Sequence, residues 1–221
     1  MDDAIAPSEW WPEVRKVDEV LRAGRYKKGE KKARKLSEQV KSKSWHGSEL
    51  DKVLGEVVFL RAVAEANLGM KREAIWHWHM AINLQPKFRK KDFSPYGDAG
   101  KLLLEFPLRA RGKGAPEWPI PRPSFESKVE RPRAPDFETI TILNNTGAFL
   151  ERPGRTEVEV LVDAEGHFHH PVVLSSHQNP VIRYAVLDWM LDLPPFIPGK
   201  VDGKPENSFL ELSVQFHFVR W

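Results

Sequence analysis

Eight histidines and no cysteine set the range of chemistry open to this 221-residue chain. Without cysteine there is no thiolate metal site, no disulfide framework and no cysteine nucleophile. His167, His169 and His170 form the densest cluster. On a strand, His167 and His169 share one face and His170 takes the other. Zinc needs three or four ligands meeting at one point. His177 or His217 is available as a third, yet no spacing requires it, so the cluster reads as a solvated strand face and no metal is assigned. His77 and His79 stand two apart on an expected helix, roughly 200° around its axis, and cannot share an ion. They are expected to flank Trp78 at a packing surface.

Signatures of catalysis are missing. The chain has no phosphate-binding glycine loop and no Gly-x-Ser-x-Gly elbow. Asp188 and Asp192 lie four apart on one helix face, a pair that reads as solvent-facing. No catalytic residue and no cofactor is assigned, and a non-enzymatic protein is expected. The strongest charge feature is basic: ten Lys and Arg lie between Arg22 and Lys43, against Glu30 and Glu38. Such a helix suits acidic proteins, nucleic acid or anionic lipid. No nucleic-acid motif accompanies it, and Ala33, Leu36 and Val40 are needed for packing, so most of it reads as a solvated face and nucleic acid is not the expected partner.

The elements that position these residues fall into two groups. Residues 1–110 carry 22 Lys+Arg and 16 Asp+Glu, while residues 111–221 carry 12 and 15. Seven of the 18 prolines fall between Pro107 and Pro135. Proline fixes φ and lacks a donor, so this stretch is expected to be an extended linker. Three segments follow: a helical domain at 1–110, a linker at 111–137, and a second domain at 138–221. In the first, Trp11, Val14, Val17, Val20 and Leu21 share one helical face, and Gly24 ends that helix. Further helices are expected over about 27–43, from a Ser48 cap to about Leu68, over 71–84 and over about 95–106. In the last segment, Thr156–Val162 alternates apolar and polar residues, Asp163–Gly166 turns, and 167–174 returns as a strand. Asn179-Pro180 caps a helix, which Pro194-Pro195 end. Residues 209–218 alternate again as a final strand.

The stretch from Ala64 to Pro86 resembles a tetratricopeptide (TPR) repeat. Gly69 sits at its inter-helix turn, Ala74 and Ala81 at its small positions, Trp78 at its large aromatic position, and Pro86 at its close. Arg61 and Glu65 depart from the pattern, and Gly29 stands where the first hairpin should have a small alanine. Residues 156–218 resemble the C-terminal domain of TonB-type energy transducers. That likeness rests on Val162-Asp163 with Gly166, Val172 with Ser175-Ser176, Ala185 with Trp189, Phe196 through Pro205, and Val214, Phe216 and Phe218. The Tyr-Pro segment usual before the first strand is absent, as is the family's membrane helix.

The expected fold class is α+β: a TPR-like helical-hairpin domain followed by a small antiparallel sheet packed with a helix, as in the TonB C-terminal domain. The resemblance implies a non-enzymatic envelope protein that binds a protein or peptide, a TonB-dependent outer-membrane transporter being one implied partner. The binding edge is expected at the last strand, through Phe209, Glu211, Ser213, Gln215 and His217. A helical groove is expected at Phe59, Val63, Asn67 and Trp76. No segment is long and apolar enough to span a membrane. The acidic start is not a secretion signal, so an envelope location requires a leader or anchor ahead of residue 1. The second reading is a cytoplasmic TPR-like scaffold that binds acidic partners or nucleic acid through its basic helix.

Overall fold

The structure, a computed structural model, describes residues 6–43, 49–106, 120, 123–124, 126–135, 140–144, 154–175 and 179–220. The fold is α+β. A 3₁₀ turn at Pro7–Trp10 leads into α1 (Trp11–Arg22), α2 (Tyr26–Lys43), α3 (Leu50–Asn67) and α4 (Lys71–Leu84). The apolar stripe of α1 is buried at Val14, Val17, Val20 and Leu21, and that of α2 at Ala33, Leu36 and Val40. Gly29 fits the close crossing of these two helices: a Cβ there would lie 2.1 Å from Leu21 Cδ2. The fifth helix, α5 (Ala99–Glu105), is shorter than expected. Ser94–Tyr96 instead forms a 3₁₀ turn, and Gly97 at φ 69° breaks the path between the two. Ser48 lies outside the described residues.

Phe59 of α3 sits at the centre of an aromatic cluster. Its ring lies 5.6 Å from Phe88, 5.5 Å from Phe93, 5.7 Å from Tyr96 and 6.1 Å from Trp78. Edge-to-face and offset arrangements at such distances are the favoured ones for aromatic rings.

The remaining elements are β1 (Val129–Glu130), β2 (Ile140–Asn144), β3 (Gly154–Val162), β4 (Phe168–Ser175), α6 (Pro180–Leu191), β5 (Gly199–Val201), β6 (Lys204–Glu206) and β7 (Ser208–Arg220). They form one sheet in the order β2-β7-β3-β4 and a smaller one in the order β1-β5-β6. β3 and β4 make the expected hairpin. Asp163 Oδ1 accepts from the amides of Glu165 at 3.1 Å and His167 at 2.8 Å. Gly166 takes φ 86° at its end. A side chain there would meet the Phe196 carbonyl at 2.1 Å. Asn179 caps α6 by accepting the Val181 amide at 2.8 Å.

Two expectations need correction. The larger sheet is mixed, because β2 runs parallel to β7. The expected linker is also partly built into the fold: Val129 and Glu130 pair with Val201 and Lys200. Arg133 and Ile197 exchange two backbone hydrogen bonds of 2.9 Å. Pro132 and Pro135 bracket Arg133 but leave it a donor, so the proline spacing still permits this pairing.

The helical and sheet segments share one hydrophobic core, with α3 and α4 packed on α6 and α4 packed on β4. The rings of Trp76 and Phe168 cross this junction in a T-shaped contact at 5.3 Å.

Candidate functional site

The last strand is paired along most of one side and at the end of the other. Along one side it pairs antiparallel with β3, Phe209 opposite Leu161, Glu211 opposite Glu159, Ser213 opposite Glu157 and Gln215 opposite Arg155. On the other side, His217 falls opposite Thr141 of β2 within a parallel pairing over residues 216–220. β7 therefore lies between β2 and β3 at its end, while among the described residues no strand pairs with residues 208–215 on the side away from β3. Alternation in sequence shows which face of a strand is buried, and Leu212, Val214 and Phe216 are indeed buried. It says nothing about which edges are paired.

The border strand β4 meets a helix side chain. Asn83 of α4 donates through Nδ2 to the Pro171 carbonyl at 2.7 Å and accepts from the Val173 amide at 3.1 Å. One amide thus supplies both a donor and an acceptor to the sheet border, as a neighbouring strand would.

The expected helical groove is not open either. Phe59 and Val63 are core residues. Asn67 Nδ2 donates to the carbonyls of Val63 at 2.9 Å and Tyr96 at 3.2 Å. Trp76 Nε1 donates to the Leu187 carbonyl of α6 at 2.9 Å. The surface of α3 and α4 is covered by the chain's own α6. The Tyr184 hydroxyl extends this contact to α2, 3.1 Å from Ser37 Oγ and 3.3 Å from Glu38 Oε1.

A buried charge network lies where α3, α4 and α6 meet. Arg61 donates from Nε to Glu65 at 3.0 Å and from Nη1 to Asp188 at 3.3 Å. His77 Nδ1 is 2.7 Å from Glu65 Oε2, and its Nε2 is 3.8 Å from Asp188. Side-chain exposure is 0% for His77, 1% for Glu65, 13% for Arg61 and 25% for Asp188. Burial opposes charge on His77, but Glu65 and Asp188 outweigh it and raise its pKa. Burial likewise opposes charge on Asp188, but His77 and Arg61 draw its pKa below the ordinary carboxylate value. Asp188, expected in solvent beside Asp192, is thus an ion-pair partner. The two charged side chains that depart from the repeat pattern, Arg61 and Glu65, carry this network. Each charge has an opposite partner, and the network ties α3 and α4 to α6.

The histidine cluster divides. His167 and His169 share one face as expected and both turn to Asp163, at 3.6 and 2.8 Å. His170, with φ 51°, is buried and stacks on His79 at 4.7 Å. Among the described residues no three His, Asp or Glu are placed to hold a metal ion. His177 and the His217 side chain lie outside them.

What stays accessible is the basic outer face of α1 and α2. Between them runs a groove of about 460 Å³, with Trp10, Val17 and Leu36 along it and Lys16, Lys32, Lys35 and Lys43 beside them. Lys32 and Lys35 also line a broader concavity with Lys28, Lys31 and Arg34. Arg34 pairs with Glu30 and Lys41 with Glu38. Lys27, Lys28, Lys31, Lys32 and Lys35 are exposed and have no ion-pair partner among the described residues. Lys28, Lys31, Lys32 and Lys35 follow at spacings of three and four, so they repel one another along one helix face. An anionic partner would relieve that repulsion.

No protein-family model, no curated protein and no solved structure matches this chain.

Proposed function

We propose that the protein is a non-enzymatic module that binds an acidic protein segment on its α1–α2 face. The observation that carries this is the row of lysines ending at Lys32 and Lys35, which have no ion-pair partner among the described residues and are set over a groove with Val17 and Leu36 along it. Acidic side chains of a partner would meet the lysines, and its apolar side chains would cover the groove. The groove also holds Glu13, and Glu38 stands beside the lysine row. Those carboxylates disfavour a continuous polyphosphate more than a segment of mixed acidic and apolar residues.

The resemblances to TPR and TonB-type proteins both imply protein binding, which supports the general role. Strand capture by β7 is limited to one side of residues 208–215, because β3 pairs along their other side and β2 pairs with residues 216–220. Among the described residues no helix is long and apolar enough to cross a membrane.

Fluorescence anisotropy with a labelled peptide of alternating glutamate and leucine, set against single-stranded DNA of equal length, tests the proposal. Saturable peptide binding that weakens as salt rises supports it. Tighter binding of the DNA, or no binding of the peptide, contradicts it.

A further inference from the structure

A second cavity, of about 230 Å³, opens where the start of α4 meets β4. Its lining is mostly apolar, from Ile75, Trp76 and Phe168. Lys71 and Arg72 are exposed on its rim, and neither has a carboxylate partner among the described residues. The Arg72 guanidinium lies 5.4 Å over the Phe168 ring, and Lys71 Nζ lies 4.5 Å over Phe106. Both cations are thus held near the mouth by aromatic faces rather than neutralised by anions.

His79 gives the cavity a directional polar group. It is wholly buried and lines the cavity. Its Nε2 is 2.8 Å from the Phe106 carbonyl. A carbonyl only accepts, so Nε2 carries the proton and Nδ1 is left as an acceptor. Burial pushes the pKa of His79 down to about 4, which keeps the ring neutral near pH 7. Its Nδ1 has no hydrogen-bond partner among the described residues. A buried acceptor left in that state is costly, and a ligand O–H or N–H would satisfy it.

We propose that this cavity binds a small aromatic anion that also carries a hydrogen-bond donor, its ring against Trp76, Phe168 and Ile75, its carboxylate at Lys71 and Arg72, and its donor on His79 Nδ1. The volume is below the roughly 300–1,000 Å³ of sites for drug-sized ligands. A single ring is therefore the size that fits. The site is separate from the α1–α2 face, and its occupancy does not depend on the function proposed there.

Isothermal titration calorimetry on the full chain with three probes tests this. The probes are 4-hydroxybenzoate, benzoate (which lacks the donor) and phenol (which lacks the charge). The expected order is 4-hydroxybenzoate tightest, each of the others at least tenfold weaker. The surface variant Lys71→Glu/Arg72→Glu is expected to lose at least tenfold for 4-hydroxybenzoate and little for phenol. Circular dichroism confirms that this variant is folded. Absence of saturable 4-hydroxybenzoate binding, equal affinity for all three probes, or unchanged affinity in the folded variant overturns the proposal.

Discussion

The indole of Trp76, on the second helix of the α3–α4 hairpin, donates to the backbone carbonyl of Leu187 on α6 across 2.9 Å of buried space. It ties the helical half to the sheet half inside their shared core. Arg61 and His77 reach Asp188 on the same helix. Together these contacts make α6 part of the helical layer, so the two halves should unfold together.

Trp76→Phe keeps the ring and removes the donor. The loss is expected to be about 1–3 kcal/mol, the cost of leaving a buried acceptor short of a partner. Urea unfolding followed by circular dichroism would show a lower midpoint. Helix and sheet probes should still give coincident transitions. Separate transitions in the parent protein would contradict the shared core.

The pH dependence of stability follows from the same network. His77 has its pKa raised by folding, against burial, by Glu65 and Asp188. Its contribution is fully present below the unfolded histidine value near 6.5 and is lost as pH rises through its higher folded value. Asp188 has a lowered pKa. Its contribution is present above about 3.9 and is lost as pH falls through its lower folded value. The network is therefore at full strength between about pH 4 and 6.5. His79 acts in the opposite sense. Its pKa is pushed down by burial to about 4, so it costs stability as pH falls below the unfolded value. Comparing the parent with His77→Gln isolates the first effect. The difference in unfolding free energy between the two proteins should shrink from pH 6 to pH 9.

Asn83 tests how the border strand is held. Asn83→Ala removes the hydrogen bonds to Pro171 and Val173 that bind α4 to β4. A loss of about 1–3 kcal/mol is expected from buried groups left without partners. Hydrogen exchange should accelerate most at the Val173 amide, and less at amides in the centre of β3.

Local structure was legible in the sequence wherever one side chain or one period decides it. The apolar spacing of Val14, Val17 and Leu21 places α1, and Asn179-Pro180 starts α6. The Asp163–Gly166 turn is written in its two end residues. The partners of these elements were not legible. Phe209–Phe218 alternates in the same way whether or not a strand lies beside it, and β2 pairs with its end from 76 residues earlier in the chain. Asp188 and Asp192 look alike as an i, i+4 pair, but only Asp188 meets Arg61, and Asp192 is exposed. A signal for the buried network existed in Arg61 and Glu65, charges four apart in a helix otherwise buried along most of its length. The charge of α2 was plain, but the packing of α6 on α3 and α4 was not.

The most direct measurement of the central claim is the affinity of the Lys32→Glu/Lys35→Glu variant for the acidic peptide. Both lysines are exposed and have no ion-pair partner among the described residues, so the fold should survive. Lys101→Glu, on α5 outside that face, serves as the control. Binding at least tenfold weaker in the double variant and unchanged in the control is the predicted result. Equal affinity in all three proteins would contradict the assignment of the α1–α2 face.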